Sequence, residues 1–179
     1  LVAIARKHRL APFVYAALEG QPLPPQAEQT LFGAYHKALF RDTQFDYVRQ
    51  QVRQVLEENG IAHVFLRGVC LKQDYPVPAM RTMSDVDILV HSKDLPAIAK
   101  AMKPLKAEPV YGDGNHRNYM FPNGIEVEFH PMLLHCSSSV GTYVNPGWQY
   151  VPQGQESFSR EMSPEGFYIN VLCHLANHF

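Results

Sequence analysis

The stretch Arg81-Thr82-Met83-Ser84-Asp85-Val86-Asp87-Ile88-Leu89-Val90 constrains this chain more than any other. A strand repeats every two residues, so Asp85 and Asp87 share one face while Val86, Ile88 and Val90 take the opposite, core-facing one. Two carboxylates about 4 Å apart repel by roughly 4 kcal/mol at an effective dielectric near 20. A hard divalent cation between them would relieve that repulsion. The segment therefore reads as a strand that buries one face and carries a metal-binding pair on the other.

A second acidic row follows in Ile125-Glu126-Val127-Glu128-Phe129-His130, where Glu126, Glu128 and His130 share a face by the same alternation. Either Glu126 or Glu128 can supply a third carboxylate if the two strands are neighbours. Upstream, Gly68 ends the short apolar run Ile61 to Leu66 and precedes a segment able to form a helix. That layout presents backbone N–H groups to a phosphate. Arg67 and Arg81 flank it with guanidinium groups for phosphate oxygens, and Lys72 offers a point charge.

In this order, Gly68, Ser84-Asp85-Val86-Asp87 and Glu128 resemble the polymerase-beta-type nucleotidyltransferase superfamily. Phe65-Leu66-Arg67-Gly68, the Arg81 to Val90 stretch and Val127-Glu128-Phe129-His130 are similar to a group of largely uncharacterised bacterial nucleotidyltransferase-like proteins, over roughly Leu1 to His135. The resemblance implies Asp85, Asp87 and Glu128 as ligands of two magnesium ions, with manganese as the alternative, and selects Glu128 over Glu126. It places Gly68 and Ser84 near the phosphates. It also implies attack by an acceptor hydroxyl on the α-phosphorus of a nucleoside triphosphate, with release of pyrophosphate. The chain departs from the family at Arg67, where Lys is common, and at Val69, where the superfamily has a second Gly or Ser. The seventeen positions from Gly68 to Asp85 exceed the usual short spacing.

Around this centre the chain divides into a helical segment over 1–59, a nucleotidyltransferase core over 60–135, and a loop leading into a helix over 136–179. Leu1 to Glu19 reads as one or two short helices. Apolar residues from Leu31 to Leu56 recur at three and four, which predicts one long or once-broken helix from Gln26 to Asn59, stopped by Gly60. Ile61 to Leu66 and Asp85 to Val90 read as strands, Val69 to Tyr75 and Asp94 to Lys103 as helices. Arg117 to Phe121 and Ile125 to His130 flank Pro122-Asn123-Gly124, a hairpin signal. Cys136 to Gln155 reads as a loop with a strand near Gln149 to Val151, and Ser163-Pro164 starts a helix. The expected class is α+β, a small mixed sheet of the polymerase-beta type flanked by helices, with an N-terminal helical segment.

Composition narrows the partners. At 179 residues, 46% of them hydrophobic and 18% charged, the chain can bury an ordinary core. A net charge of −1 with dispersed Lys and Arg gives no basic stripe, so nucleic acid is not expected as a partner. No apolar run reaches membrane-spanning length and no leader pattern stands at the start, so no membrane association is expected. Three scattered cysteines suit a reducing, cytoplasmic setting. A start at Leu1 without Met and an end inside an apolar run suggest a piece of a longer protein. The acceptor is left open.

Other residues carry weaker signals. His130, His135 and Cys136 are close in sequence without a standard ligand spacing, and His174 and His178 stand four apart on one helical face. Tyr111, Tyr119, Phe121 and Phe129 read as core, and Trp148 as a candidate for stacking on a base. His116 and Arg117 receive no role. Two competing functions remain: a catalytically silent relative, for which Val69 after Gly68 is the best argument, and a phosphohydrolase that uses water as nucleophile.

Overall fold

The structure is a computed structural model and describes residues 1–110, 117–134 and 141–178, with side chains up to residue 175. Tyr111, His116, His135, Cys136 and the His178 side chain lie outside that range. Three helices come first: α1 (Val2–Lys7), α2 (Ala11–Ala17) and α3 (Pro25–Glu58). The last is unbroken over 34 residues, about 51 Å at 1.5 Å per residue. Leu31, Ala38, Phe45, Val48, Val52 and Leu56 form its buried stripe.

The remaining elements alternate around one sheet. β1 (His63–Phe65) leads through α4 (Gly68–Leu71) to β2 (Asp85–Val90), and α5 (Leu95–Ala101) follows. Next come β3 (Glu108–Val110), β4 (Arg117–Met120), β5 (Glu126–His130), α6 (Gly141–Val144), β6 (Ser159–Arg160) and α7 (Pro164–His178). The sheet order is β3-β4-β5-β2-β1-β6. β2 pairs parallel with β5 and antiparallel with β1, and β6 pairs parallel with β1. The mixed sheet flanked by helices is therefore as expected. Among the described residues no helix is long and apolar enough to cross a membrane.

Alternation along β2 assigns its two faces. Val86, Ile88 and Val90 are fully buried against Val48, Val52 and Leu56 of α3 and Ile98 of α5. Leu89 instead joins Val64, Leu66, Leu133 and Val151 in a second cluster on the face that also carries the two aspartates. Because both faces are covered, β2 reads as almost continuously apolar after Asp87.

Several boundaries differ from the sequence reading. The helix expected over Val69 to Tyr75 begins at Gly68 and tightens into a 3-10 turn over Lys72–Asp74. That expected over Asp94 to Lys103 is regular only over Leu95–Ala101, between 3-10 turns at Ser92–Asp94 and Lys103–Leu105. The β4–β5 hairpin forms with only Gly124 at positive φ, at +73°, and the Phe121 N–H donates to the Ile125 carbonyl at 2.8 Å. This closes a three-residue loop, not the two-residue turn that Asn-Gly suggests.

The strand expected near Gln149 to Val151 is a 3-10 turn, Trp148–Tyr150, and the sheet gains its edge strand at Ser159–Arg160 instead. Part of the expected loop is ordered by Asn145, whose side-chain amide exchanges two hydrogen bonds with the Leu134 backbone at 3.0 and 2.9 Å. The start of α7 is as expected: Ser163 Oγ accepts from the Gly166 N–H at 3.1 Å, with Pro164 in the first turn.

Candidate functional site

The parallel register of β2 and β5 sets Asp85 beside Glu126 and Asp87 beside Glu128. Paired residues in neighbouring strands share a face, so the two acidic rows lie side by side. His130 continues the second row. One ligand atom each from Asp87, Glu128 and His130 lie within 4.8 Å of one another. Asp85, one step back along the same face, is not part of that cluster.

Hydrogen bonds link the cluster. His130 Nε2 is 2.8 Å from Asp87 Oδ1 and 3.4 Å from Glu128 Oε2. From β4, which pairs Asn118 with Glu128, the Asn118 amide donates to Glu126 Oε1 at 2.8 Å and to Glu128 Oε1 at 3.2 Å. Glu126 is thereby engaged in positioning Asn118 and Glu128.

Arg67 occupies the turn after β1 at φ +44°, in the left-handed region that a non-glycine residue rarely adopts. Simple alternation would send its side chain with Phe65 toward α3. The turn directs it to the aspartate face, where its guanidinium donates to Asp87 and to Nδ1 of His174 on α7, with Nη2 3.3 Å from His130 Nε2.

Charge and burial tune the site in opposite directions at its two aspartates. Burial raises the Asp85 pKa, the neighbouring Asp87 charge adds to that, and the hydrogen bond with Ser84 only partly offsets them. At Asp87, burial also opposes ionisation, but the bond to His130 and the charges of Arg67, His130 and His174 outweigh it and hold the carboxyl below its usual range. Burial disfavours the His130 imidazolium, yet the bonds to Asp87 and Glu128 win and raise its pKa.

The other predicted residues separate. Gly68 lies under Arg81 and Met83, and a Cβ there would stand 3.0 Å from Met83 Sδ and 3.1 Å from Arg81 Nη1. Gly68 and Arg81 are thus brought together, and Ser84 bonds Asp85. Lys72 does not face a phosphate: its Nζ is 2.6 Å from Asp42 and 2.9 Å from Asp46, and its side chain is 3% exposed. A charge so nearly out of water needs paired carboxylates, and Asp42 and Asp46 of α3 supply them.

Trp148 is no free stacking platform, because its ring already lies on His91 at 3.9 Å and 13°. Tyr119, Phe121 and Phe129 are core, as read. Three contributors escaped the sequence reading. His130 was visible on the Glu128 face but was weighed with His135 and Cys136. Asn118 depends on hairpin register, and no local signal connects His174 with Arg67.

A family model described as uncharacterised nucleotidyltransferase matches residues 1–179. The chain belongs to this nucleotidyltransferase family. Among solved structures, it is similar to the antibiotic-resistance factor ANT(2'')-Ia, determined in solution, with TM-score 0.56 and 10% identity over 76% of this chain and 74% of that one. At that identity the likeness is one of fold, and it agrees with the mixed sheet flanked by helices. No curated protein matches the sequence. The family membership makes this nucleotidyltransferase an enzyme that takes a nucleotide substrate.

Proposed function

We propose that the chain catalyses metal-dependent transfer of a nucleoside monophosphate from a nucleoside triphosphate to a hydroxyl of a small molecule or a protein. One observation carries this reading: Asp87 and Glu128 are direct partners across parallel strands, and their carboxylates converge with His130 within 4.8 Å. Carboxylates brought together on a partly buried face suit a hard divalent cation. Asp87, Glu128 and Asp85 would hold magnesium or manganese, with His130 available as a further ligand.

When bound, the metal would neutralise charge on the triphosphate and lower the pKa of the acceptor hydroxyl. The hydroxyl oxygen forms a bond to the α-phosphorus as the bond to the β-phosphate oxygen breaks, and pyrophosphate leaves. Glu128 can accept the hydroxyl proton. Arg81, seated over Gly68, and Arg67 would bind phosphate oxygens through forked N–H donors. Arg67 satisfies Asp87 until such a ligand arrives. Ser84 orients Asp85 through their hydrogen bond.

The same Arg67 contact favours a second reading, a silent relative in which the guanidinium permanently takes the cation's place. Calorimetric titration with a non-hydrolysable nucleoside triphosphate analogue, with and without magnesium, separates the two. The reading expects metal-dependent binding that Asp87→Asn with Glu128→Gln abolishes. Binding that ignores both the metal and the substitutions would sink it in favour of the silent relative.

A further inference from the structure

We propose that His130 is a direct ligand of the metal ion at Asp87 and Glu128, and that its nitrogen makes the site select a divalent first-row transition ion over magnesium. The inference rests on the metal-site reading above and deepens it by naming the ligand set and the class of ion.

The groups gathered here are not those of an all-oxygen site. The resemblance implies three carboxylates, Asp85, Asp87 and Glu128. The cluster that forms is Asp87, Glu128 and His130, with one ligand atom from each lying within 4.8 Å of the others. Strand register explains the difference. Asp87 lies beside Glu128 and Leu89 beside His130, so the imidazole follows two residues further along the face that carries both acids. Asp85 lies two residues back, beside Glu126, whose carboxylate already accepts from the Asn118 amide at 2.8 Å. Along this face an imidazole, and not the Asp85 carboxylate, completes the group.

The spacing suits coordination. Adjacent ligands on an octahedral ion with bonds near 2.1 Å stand about 3 Å apart. His130 Nε2 is 2.8 Å from Asp87 Oδ1 and 3.4 Å from Glu128 Oε2, on either side of that value. A cationic group already touches two of the three side chains: Arg67 Nη2 donates to Asp87 Oδ1 and is 3.3 Å from His130 Nε2. The guanidinium nitrogen marks a point that a cation can share with both.

Ligand chemistry then selects the ion. Carboxylates serve magnesium, calcium and manganese alike, whereas imidazole nitrogen suits transition ions. Magnesium also gives up its water reluctantly, and the Asp87, His130 and Glu128 side chains are only 10%, 17% and 19% exposed. Two oxygens and one nitrogen on a partly buried face therefore favour the transition ion. On coordination, Nε2 releases its proton to solvent and gives its lone pair to the ion, and Arg67 leaves Asp87 for the phosphate oxygens.

The test uses Mn²⁺, whose electron spin senses a directly bound nitrogen. Electron spin-echo modulation is recorded on the Mn²⁺-loaded chain at one slightly alkaline pH, with unlabelled and with ¹⁵N-labelled histidine. The expected result is nitrogen modulation that changes with the label, disappears in His130→Asn and persists in His174→Gln. The measurement on the unsubstituted chain stands even if a variant fails to fold. In titrations of Mn²⁺ against competing Mg²⁺, His130→Asn should lower the Mn²⁺ affinity at least about tenfold and the Mg²⁺ affinity by less than about threefold. If Mn²⁺ binds only together with the triphosphate analogue, the same signal is read from that complex, where the histidine label separates imidazole from base nitrogen. Mn²⁺ bound without histidine modulation, or an equal fall in affinity for both ions, overturns the proposal and leaves the carboxylate metal site standing. No Mn²⁺ binding in either form, or binding that survives Asp87→Asn with Glu128→Gln, overturns this inference together with the reading it rests on.

Discussion

At the scale of single residues, His63 shows how burial alone sets a chemical state. It is fully buried in β1, donates from Nδ1 to the Ile61 carbonyl at 3.0 Å and leaves Nε2 without a partner. Burial depresses its pKa below 6.5, more than that hydrogen bond and the Glu57 charge raise it. The unfolded chain therefore binds a proton at a higher pH than the folded one does. Stability from this residue is complete above pH 6.5 and is lost as the pH falls from there toward the folded pKa. The melting temperature should drop with acidification across that window, and His63→Gln should flatten the slope. Equal slopes in both proteins would show that His63 takes up its proton at the same pH in the folded and the unfolded chain. Such chemistry is only half legible in sequence: His63 sits visibly in a strand, but its depth depends on what β6 and α3 bring over it.

At the scale of elements, α7 shows a local preference overruled by a tertiary contact. In an isolated helix, replacing Gly166 with Ala would stabilise by about 1 kcal/mol. Here a Cβ would stand 2.3 Å from Tyr150 Cβ and 3.0 Å from its Cγ, with the Tyr150 carbonyl at 3.3 Å. The helix must retreat or the Trp148–Tyr150 turn must shift, so Gly166→Ala should destabilise by roughly 1–3 kcal/mol in denaturant unfolding. A more stable variant would mean that α7 does not rest on Tyr150 as described. Because α7 carries His174 to Arg67, its displacement should also weaken nucleotide binding. The start of α7 was legible, since Ser163 and Pro164 act within one turn, and α3 was legible from apolar spacing alone. β6 was not: its two residues are too few to show alternation, and it exists because β1 offers it a free edge.

At the scale of the whole molecule, α3 joins the N-terminal helices to the sheet, packing Leu31 against α1 and α2 and Val48, Val52 and Leu56 against β2. Lys72 ties the turn after α4 to the same helix through Asp42 and Asp46, 16% and 38% exposed. Lys72→Met should cost about 2–3 kcal/mol, toward the low end for a buried pair because Asp46 is partly solvated. Adding Asp42→Asn should restore part of the loss; no restoration would mean that the cost comes from packing and not from stranded carboxylates. Local order along the chain determined the strand with Asp85 and Asp87, the later acidic strand, the long helix and the helix start at Ser163, because periodicity and capping act over a few residues. Tertiary structure alone decided that β2 and β5 run side by side in a register setting Asp87 against Glu128, that His130 and His174 gather there, and that Arg67 turns toward Asp87 while Lys72 turns away. Those outcomes depend on which distant groups share a desolvated space, and no short window of sequence contains that information.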